Sequence, residues 1–127
     1  MSIERTFLDM HSHKISVLWD LASSKPIMTI PIHLLLTSHK KKYWTCKYGK
    51  PISANEVLND PTRAPEHVQK TKEANLEYPI IVAESNLDIL DGLHRLNKCL
   101  QLGKAHIKAQ IIGIDDLRWM VMMGGVG

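Results

Sequence analysis

The second half of the chain carries the clearest pattern of apolar and polar positions. A continuous apolar run at 79–83 is typical of a strand that is covered on both faces. Polar turn residues follow, and 87–90 predicts a strand that returns beside the first. The apolar spacing then becomes helical over 93–102, and Gly103 predicts the end of this helix. Strict alternation at 106–111 predicts a half-buried strand.

The order strand, helix, strand at the end of this region predicts a compact βαβ unit. We expect the strands at 87–90 and 106–111 to be parallel and their crossover to be right-handed. The fold class is therefore α/β or, more broadly, α+β, with a small mixed sheet and flanking helices. A length of 127 residues predicts one domain, with its core at about 26–112 and a helix packed on it from each end.

The first half is less regular. Residues 14–22 place Leu18 and Trp19 on one apolar face and predict a short helix, although the same residues could begin a strand. The prolines within 26–32 predict a strand at the edge of the sheet, because proline cannot donate to a central ladder. Capping and proline signals predict two further helices, one starting after Ser53 and one over about 64–74.

Composition excludes several classes of protein. Hydrophobic residues make up 44% and charged residues 23% of the chain, which is ordinary for a globular domain and unlike a disordered or collagen-like one. The net charge of +3 is too small to indicate nucleic-acid binding by itself. The two cysteines form no disulfide or zinc motif. No signal sequence or apolar run of ~20 residues occurs, so we expect a cytoplasmic protein with no membrane partner.

The junction Asp91-Gly92-Leu93-His94-Arg95 is the most informative point for function. Glycine permits a tight turn from strand to helix, and the helix that follows exposes unpaired N–H groups and a positive dipole end. These features predict an anion site suited to phosphate. Arg95 could add a bidentate contact, and Asp91 could hold Mg²⁺ or accept a proton.

A purely structural interpretation of the same residues stays open. Asp91 would then cap the helix, Gly92 would serve the turn, and His94 and Arg95 would lie on a solvated helix face. The same choice applies to two residues outside the junction. His67 could reach the site or merely cap its own helix, and Lys98 could extend a basic rim or be an ordinary surface lysine.

A longer stretch resembles the ParB/sulfiredoxin superfamily. The resemblance rests on the apolar strand at 78–82, the run from Ile89 to Lys98 with its Gly-x-His-Arg turn, the glycine at the helix end, and the closing strand with Ile107 and Ile111. Looser similarity extends back to the strand at 30–35 and the helix at 66–76. The resemblance covers roughly residues 30–112.

This resemblance implies a small α/β fold that binds nucleotide phosphates at the Gly-x-His-Arg turn. It implies ATP or another nucleotide, with Mg²⁺, as cofactors. The implied nucleotide-binding residues are Gly92, Leu93, His94, Arg95 and Lys98. The implied catalytic residues are Asp91, His94 and His67, with Asp91 also the metal ligand.

Three branches of the superfamily differ in what they imply. Sulfiredoxins carry a catalytic cysteine where this chain has Leu93, so we do not expect their chemistry. Partition proteins add a helix-turn-helix domain for which few residues remain after Ile112, so we do not expect their site-specific DNA binding. Free-serine kinases resemble the chain most closely at Asp-Gly-x-His-Arg but need a second, substrate-binding portion. Small stand-alone ParB-like proteins of phage and bacteria are the nearest overall likeness.

A second candidate surface is the segment Lys40–Lys50, which contains five lysines, three aromatic residues and no acid. Its aromatic rings could stack on bases while its lysines contact phosphates. Alternatively, Trp44 anchors the segment on the core and the lysines are solvated. Two functions therefore stand side by side: a nucleotide-binding NTPase or phosphotransferase, and a non-catalytic or nuclease-like module that binds nucleic acid.

Overall fold

The fold is built on one mixed sheet with helices on both faces. The computed structural model describes residues 15–46 and 49–119. Its strands are β1 Met28–Pro31, β2 Trp44–Thr45, β3 Pro51–Ile52, β4 Ile80–Ala83, β5 Ile89–Asp91 and β6 His106–Ile112. Its helices are α1 Ile15–Ala22, α2 Leu36–His39, α3 Ala54–Asn59, α4 Pro65–Glu73, α5 Leu93–Gln101 and α6 Ile114–Trp119, with 3-10 turns at Ile32–Leu35 and Pro61–Arg63. The α+β class is confirmed.

The main sheet has the strand order β1-β6-β4-β5, and β2 and β3 form a separate hairpin. All four residues of β4 are buried, as the continuous apolar run predicts for a strand covered on both faces. The strand predicted over 26–32 is confirmed at the edge of the sheet, where β1 pairs with β6 and with no other strand of the described residues.

The predicted pairing of the last strands is wrong. β5 lies antiparallel to β4, and β6 lies parallel to β4, so β5 and β6 run in opposite directions. The reason is the short turn at 84–86, which folds β5 back as a hairpin on the outer edge of β4. Helix α5 then crosses β4, so that β6 pairs with the edge of β4 opposite β5. The crossover connection between the parallel strands β4 and β6 therefore consists of β5 and α5 together.

Two apolar clusters cover the two faces of the sheet. On one face α5 packs with Leu93, Leu96 and Cys99 against Ile80 and Val82 of β4. On the other face α1 packs through a cluster whose buried members are Leu18, Ala22, Ile81, Ala83, Leu90 and Ile112. The packing of the N-terminal helix is therefore as predicted. Trp19, which the helical spacing places on the apolar face, is instead 51% exposed.

The irregular segment before β4 forms a third small cluster with Ile52, Val57 and Ala64 at its centre. The capping box is confirmed, because Ser53 Oγ accepts from the Glu56 N–H at 3.0 Å while the Glu56 carboxylate accepts from the Ser53 N–H at 3.1 Å. Helix α4 begins at Pro65 and ends at Glu73, close to the predicted bounds.

The C-terminal helix is described to Trp119, and its predicted end near residue 123 lies outside the described residues. An ion pair of 3.0 Å between Lys25 and Asp116 ties it to the loop after α1. Within residues 15–46 and 49–119, no helix has both the length and the apolar character needed to cross a membrane.

A buried polar contact joins α2, α3 and α5. Asn97 is 2% exposed, and its Oδ1 accepts from His39 Nε2 at 2.6 Å while its Nδ2 donates to the Ala54 carbonyl at 3.1 Å. Burial lowers the pKa of His39, partly offset by the hydrogen bond to Asn97, so the imidazole is neutral at neutral pH. The helical spacing gives no indication that Asn97 is a core residue.

The turn between β5 and α5 depends on glycine. Gly92 has φ of +113°, and a Cβ at this position would lie 2.5 Å from Cγ2 of Ile80. The start of α5 therefore lies directly against the central strand, closer than any other residue type allows.

We expect Gly92→Ala to lower the free energy of unfolding by about 2–5 kcal/mol, because the new methyl group adds a steric overlap to a strained φ. Gly103→Ala is the matched control. Gly103 has φ of +70°, but a Cβ added there would have no atom within 4 Å, so its replacement should cost only about 1–2 kcal/mol. Urea denaturation of both variants measures the difference, and equal losses would contradict the close approach to Ile80.

We expect Asn97→Leu to cost about 1–3 kcal/mol, because it leaves the buried Nε2–H of His39 without its acceptor and removes one of the donors to the Ala54 carbonyl. Asn59→Leu is the control, since Asn59 also donates to a backbone carbonyl but is exposed, and its loss should stay within about 0.5 kcal/mol. The double variant His39→Leu/Asn97→Leu should lose less than the sum of its single variants. Strict additivity in urea denaturation would argue against the contact.

Candidate functional site

A pocket of about 150 Å³ lies where β5 ends and α5 begins. Pockets for drug-sized ligands measure roughly 300–1,000 Å³, so this one matches a small chemical group better than a whole nucleotide. The residues that line it are Tyr43, Trp44, Ile89, Leu90, Asp91, Gly92, Leu93 and His94. The structure therefore brings the predicted residues Asp91, Gly92, Leu93 and His94 together in one pocket wall.

The first turn of α5 forms part of this wall. Gly92 is the residue that precedes the helix, and no side chain caps the helix there. The first N–H groups of an α-helix have no partner within the helix, and they carry the positive end of its dipole. Leu93 and His94, which contribute two of these N–H groups, both line the pocket.

His94 belongs to a stack of three aromatic side chains. The imidazoles of His67 and His94 lie 4.1 and 4.5 Å from the Trp44 ring centre, at angles of 4° and 17° to the indole plane. Because their own centres are only 5.2 Å apart, both imidazoles lie on the same face of the indole. His67 Nδ1 and His94 Nε2 are 2.9 Å apart and share a hydrogen bond. Of the two placements left open for His67, the structure shows the one beside the junction.

The direction of this hydrogen bond follows from the other contact of His67. His67 Nε2 lies 3.3 Å from the carbonyl oxygen of Thr45, which can only accept, so Nε2 carries the proton. In the neutral imidazole Nδ1 of His67 is then an acceptor, and His94 donates to it from Nε2. The proton of neutral His94 is therefore on Nε2, and its Nδ1 is left with a lone pair on a ring that lines the pocket.

Burial explains why both histidines are neutral. Desolvation, followed by the charges of His67 and Lys70, lowers the pKa of His94 to about 4. Desolvation also lowers the pKa of His67. Two imidazolium rings side by side over one indole would repel each other, so the neutral pair is the stable form near neutral pH.

The Asp91 carboxylate contacts side chains from two helices that lie on opposite faces of the sheet. Its Oδ2 accepts from the indole N–H of Trp19 on α1 at 2.9 Å. The same oxygen lies 3.8 Å from the Arg95 guanidinium, one helical turn further along. The carboxylate charge at the pocket wall is therefore compensated by a cation and an N–H donor.

Arg95 and Lys98 are both engaged with backbone carbonyl groups. Arg95 donates to the Pro79 carbonyl at 2.8 Å, which fixes the chain just before β4. Lys98 donates to the carbonyl groups of Lys72 and Ala74 at 2.9 and 2.7 Å, and so binds the C-terminal end of α4. Phosphate contacts by these two side chains stay predictions, and neither residue lines the pocket.

The donor set does not fit a Mg²⁺ site formed by the protein alone. Mg²⁺ is usually held by one or two carboxylates together with phosphates and water. Asp91 offers one carboxylate, and one of its oxygens already accepts from Trp19 and faces a guanidinium. Within the part of the chain that the structure describes, no three His, Cys, Asp or Glu side chains lie together as metal ligands.

Two residues of the Lys40–Lys50 segment, Tyr43 and Trp44, line the pocket. Lys41 and Tyr43 both donate to the buried carboxylate of Asp88, at 3.0 and 2.5 Å. Lys42 forms an ion pair of 2.7 Å with Glu56, and this bond is the main cause that lowers the pKa of Glu56 to about 2. Residues 47 and 48 lie outside the described residues. Nucleic-acid binding here stays a prediction that these ion pairs do not favour.

Sequence reasoning misses two residues that shape the site. Helical spacing places Trp19 in the core, and its bond to a residue 72 positions away leaves no signal in that spacing. The strand pattern gives Asp88 no special role. A charged side chain between Leu87 and Ile89 in an apolar strand is the available signal, because a buried carboxylate requires partners.

No family model, curated protein or solved structure matches the chain.

Proposed function

We propose that this protein binds the phosphate group of a nucleotide in the pocket at the start of α5. The observation that carries the proposal is the meeting of two kinds of group in one small pocket. The first turn of α5, whose N–H groups have no partner within the helix, lines the pocket, and so does His94, whose Nδ1 can receive a proton. The resemblance of the Gly-x-His-Arg turn to ParB-like proteins supports the same ligand.

The electrostatics of the pocket allow an anion despite the carboxylate in its wall. Arg95 lies next to Asp91 and offsets its charge, and the dipole of the nine-residue helix α5 adds a positive potential. An anion beside His94 also favours protonation of Nδ1, which then donates a charge-assisted hydrogen bond. Phosphate binding is therefore coupled to proton uptake by His94.

The size of the pocket limits what it can enclose. At about 150 Å³ it accommodates a phosphate group, and the remainder of a nucleotide must lie outside, across the pocket mouth. A nucleoside diphosphate or triphosphate would place one phosphate group in the pocket and the others toward solvent.

A more specific form of the proposal is that the protein also catalyses the hydrolysis or transfer of the bound phosphate. In an NTPase or phosphotransferase, the N–H groups of the α5 turn would hold the transferred phosphate, and the attacking hydroxyl or water would displace the nucleoside diphosphate while Asp91 accepts its proton. His67 would orient His94 through their hydrogen bond. Release of inorganic phosphate from ATP or CTP in the presence of Mg²⁺ tests turnover separately from binding.

Sulfate is the probe for the coupling to His94, because it stays a dianion throughout the relevant pH range. The pKa of His94 is about 4 in the free protein, and a bound anion raises it. The affinity should therefore rise as the pH falls from the raised pKa toward about 4, since the complex takes up a proton. Calorimetric titration from neutral pH downward measures this rise.

The variant His94→Asn keeps a polar group near the pocket but does not titrate, so its sulfate affinity should be independent of pH over this range. His106→Asn is the control, because His106 is exposed on β6 and should leave the pH dependence as in the wild type. A pH-dependent rise that survives in His94→Asn would contradict the role given to His94.

Nucleotide binding itself is tested by thermal shift with ATP, ADP, CTP and GTP, each with and without Mg²⁺. A ligand at 100 times its Kd should stabilise the protein by about 2.7 kcal/mol. Asp91→Asn removes the negative charge of the pocket wall, so it should strengthen the binding of Mg²⁺-free nucleotide. If no nucleotide and no inorganic phosphate raises the Tm, the proposed function is wrong.

A further inference from the structure

Trp19 has an unusual environment for a tryptophan on a helix that packs against a sheet. Its neighbour Leu18 is fully buried on the same helix, yet the Trp19 side chain is 51% exposed. Its indole N–H donates to Oδ2 of Asp91 at 2.9 Å. The polar edge of the ring is thus fixed to a residue of the pocket wall, while much of the ring surface faces solvent.

This arrangement differs from that of Trp44, the other described tryptophan at the pocket. One face of the Trp44 indole is covered by the imidazoles of His67 and His94, and the side chain is half-buried, in contact with two apolar clusters. Trp44 therefore forms part of the pocket wall. Trp19 keeps the exposed aromatic surface, and its hydrogen bond holds the ring in place at little further entropic cost on binding.

We propose that Trp19 is the stacking platform for the planar ring of a nucleoside phosphate whose phosphate group occupies the pocket. The inference rests on the proposed function, since the phosphate site determines where the remainder of the ligand lies. The pocket is too small for the base, and an exposed aromatic ring is joined to the pocket wall by a hydrogen bond. Stacking on an indole is tolerant of base identity, because every base has an aromatic face.

The test compares ligands that share a phosphate ester and differ in the base. Ribose 5-phosphate carries the phosphate and sugar alone, and AMP, GMP, CMP and UMP add one base each. Calorimetry on the wild-type chain should show that at least one nucleoside monophosphate binds about 5- to 150-fold more tightly than ribose 5-phosphate. Trp19→Ala should abolish this excess, so that ribose 5-phosphate and the nucleoside monophosphates bind this variant with equal affinity, whatever the loss of the hydrogen bond to Asp91 does to both ligand types alike.

Two variants separate stacking from other roles of Trp19. Trp19→Phe keeps an aromatic face but loses the N–H donor, so most of the preference for the nucleoside monophosphate should remain. Tyr78→Ala removes another exposed aromatic ring, 63% exposed and outside the pocket lining, and should bind as the wild type does. Far-UV circular dichroism of each variant confirms the fold.

The outcomes distinguish this inference from the proposed function. Equal affinities of the wild type for ribose 5-phosphate and for all four nucleoside monophosphates would overturn the role of Trp19 and leave the phosphate site intact. Equal losses of both ligand types in Trp19→Ala would also overturn it, because Trp19 would then act only through Asp91. Absence of binding by ribose 5-phosphate and every nucleoside monophosphate would overturn the proposed function, and the inference with it.

Discussion

The buried carboxylate of Asp88 is the interaction on which the candidate site depends. Its side chain is 1% exposed, and a charge so far from water is stable only with close partners. Lys41 and Tyr43 donate to it from the segment just before β2, so this segment is fixed against β5. Trp44 follows directly and forms the surface on which His67 and His94 stack. The pairing of the buried Asp88 carboxylate thus fixes the segment that carries Trp44, and with it the position of the indole at the pocket.

The second constraint is the contact between Gly92 and Ile80. Because the turn passes so close to β4, α5 begins at the end of β5 with no side chain in the capping position. Arg95 reinforces the same junction by donating to the Pro79 carbonyl while it lies beside Asp91. The way in which α5 is attached to the sheet therefore explains both the uncapped N–H groups and the position of His94.

Local patterns are sufficient to predict β4, α5 and β6, because each has a strong period and clear end signals, and Gly103 ends α5 as expected. They are not sufficient for strand pairing, because the same order of elements fits β6 beside β5 or beside β4, and only the packing of the whole sheet decides. Local patterns are also insufficient to predict which groups Arg95 and Lys98 bind. A cation near a glycine turn suggests an anion, but the carbonyl groups that these residues bind belong to distant parts of the chain.

The basic side chains near the site have different surroundings in the structure from those that the sequence suggests. The sequence places lysines before β2 and basic residues on α5, which suggests an electropositive groove. In the structure Lys41, Lys42, Arg95 and Lys98 each bind a carboxylate or a carbonyl group within the fold. The polar residues that line the pocket are the first residues of α5, the neutral His94 and the carboxylate of Asp91, which Arg95 offsets. The positive potential of the helix N-terminus is short-ranged and fixed in direction. In the proposed function such a site would select an anion by shape and hydrogen bonding at close range, whereas attraction at long range depends on net charge. A net charge of only +3 provides little attraction at long range, so the proposed binding of one small anionic group depends on the contacts inside the pocket.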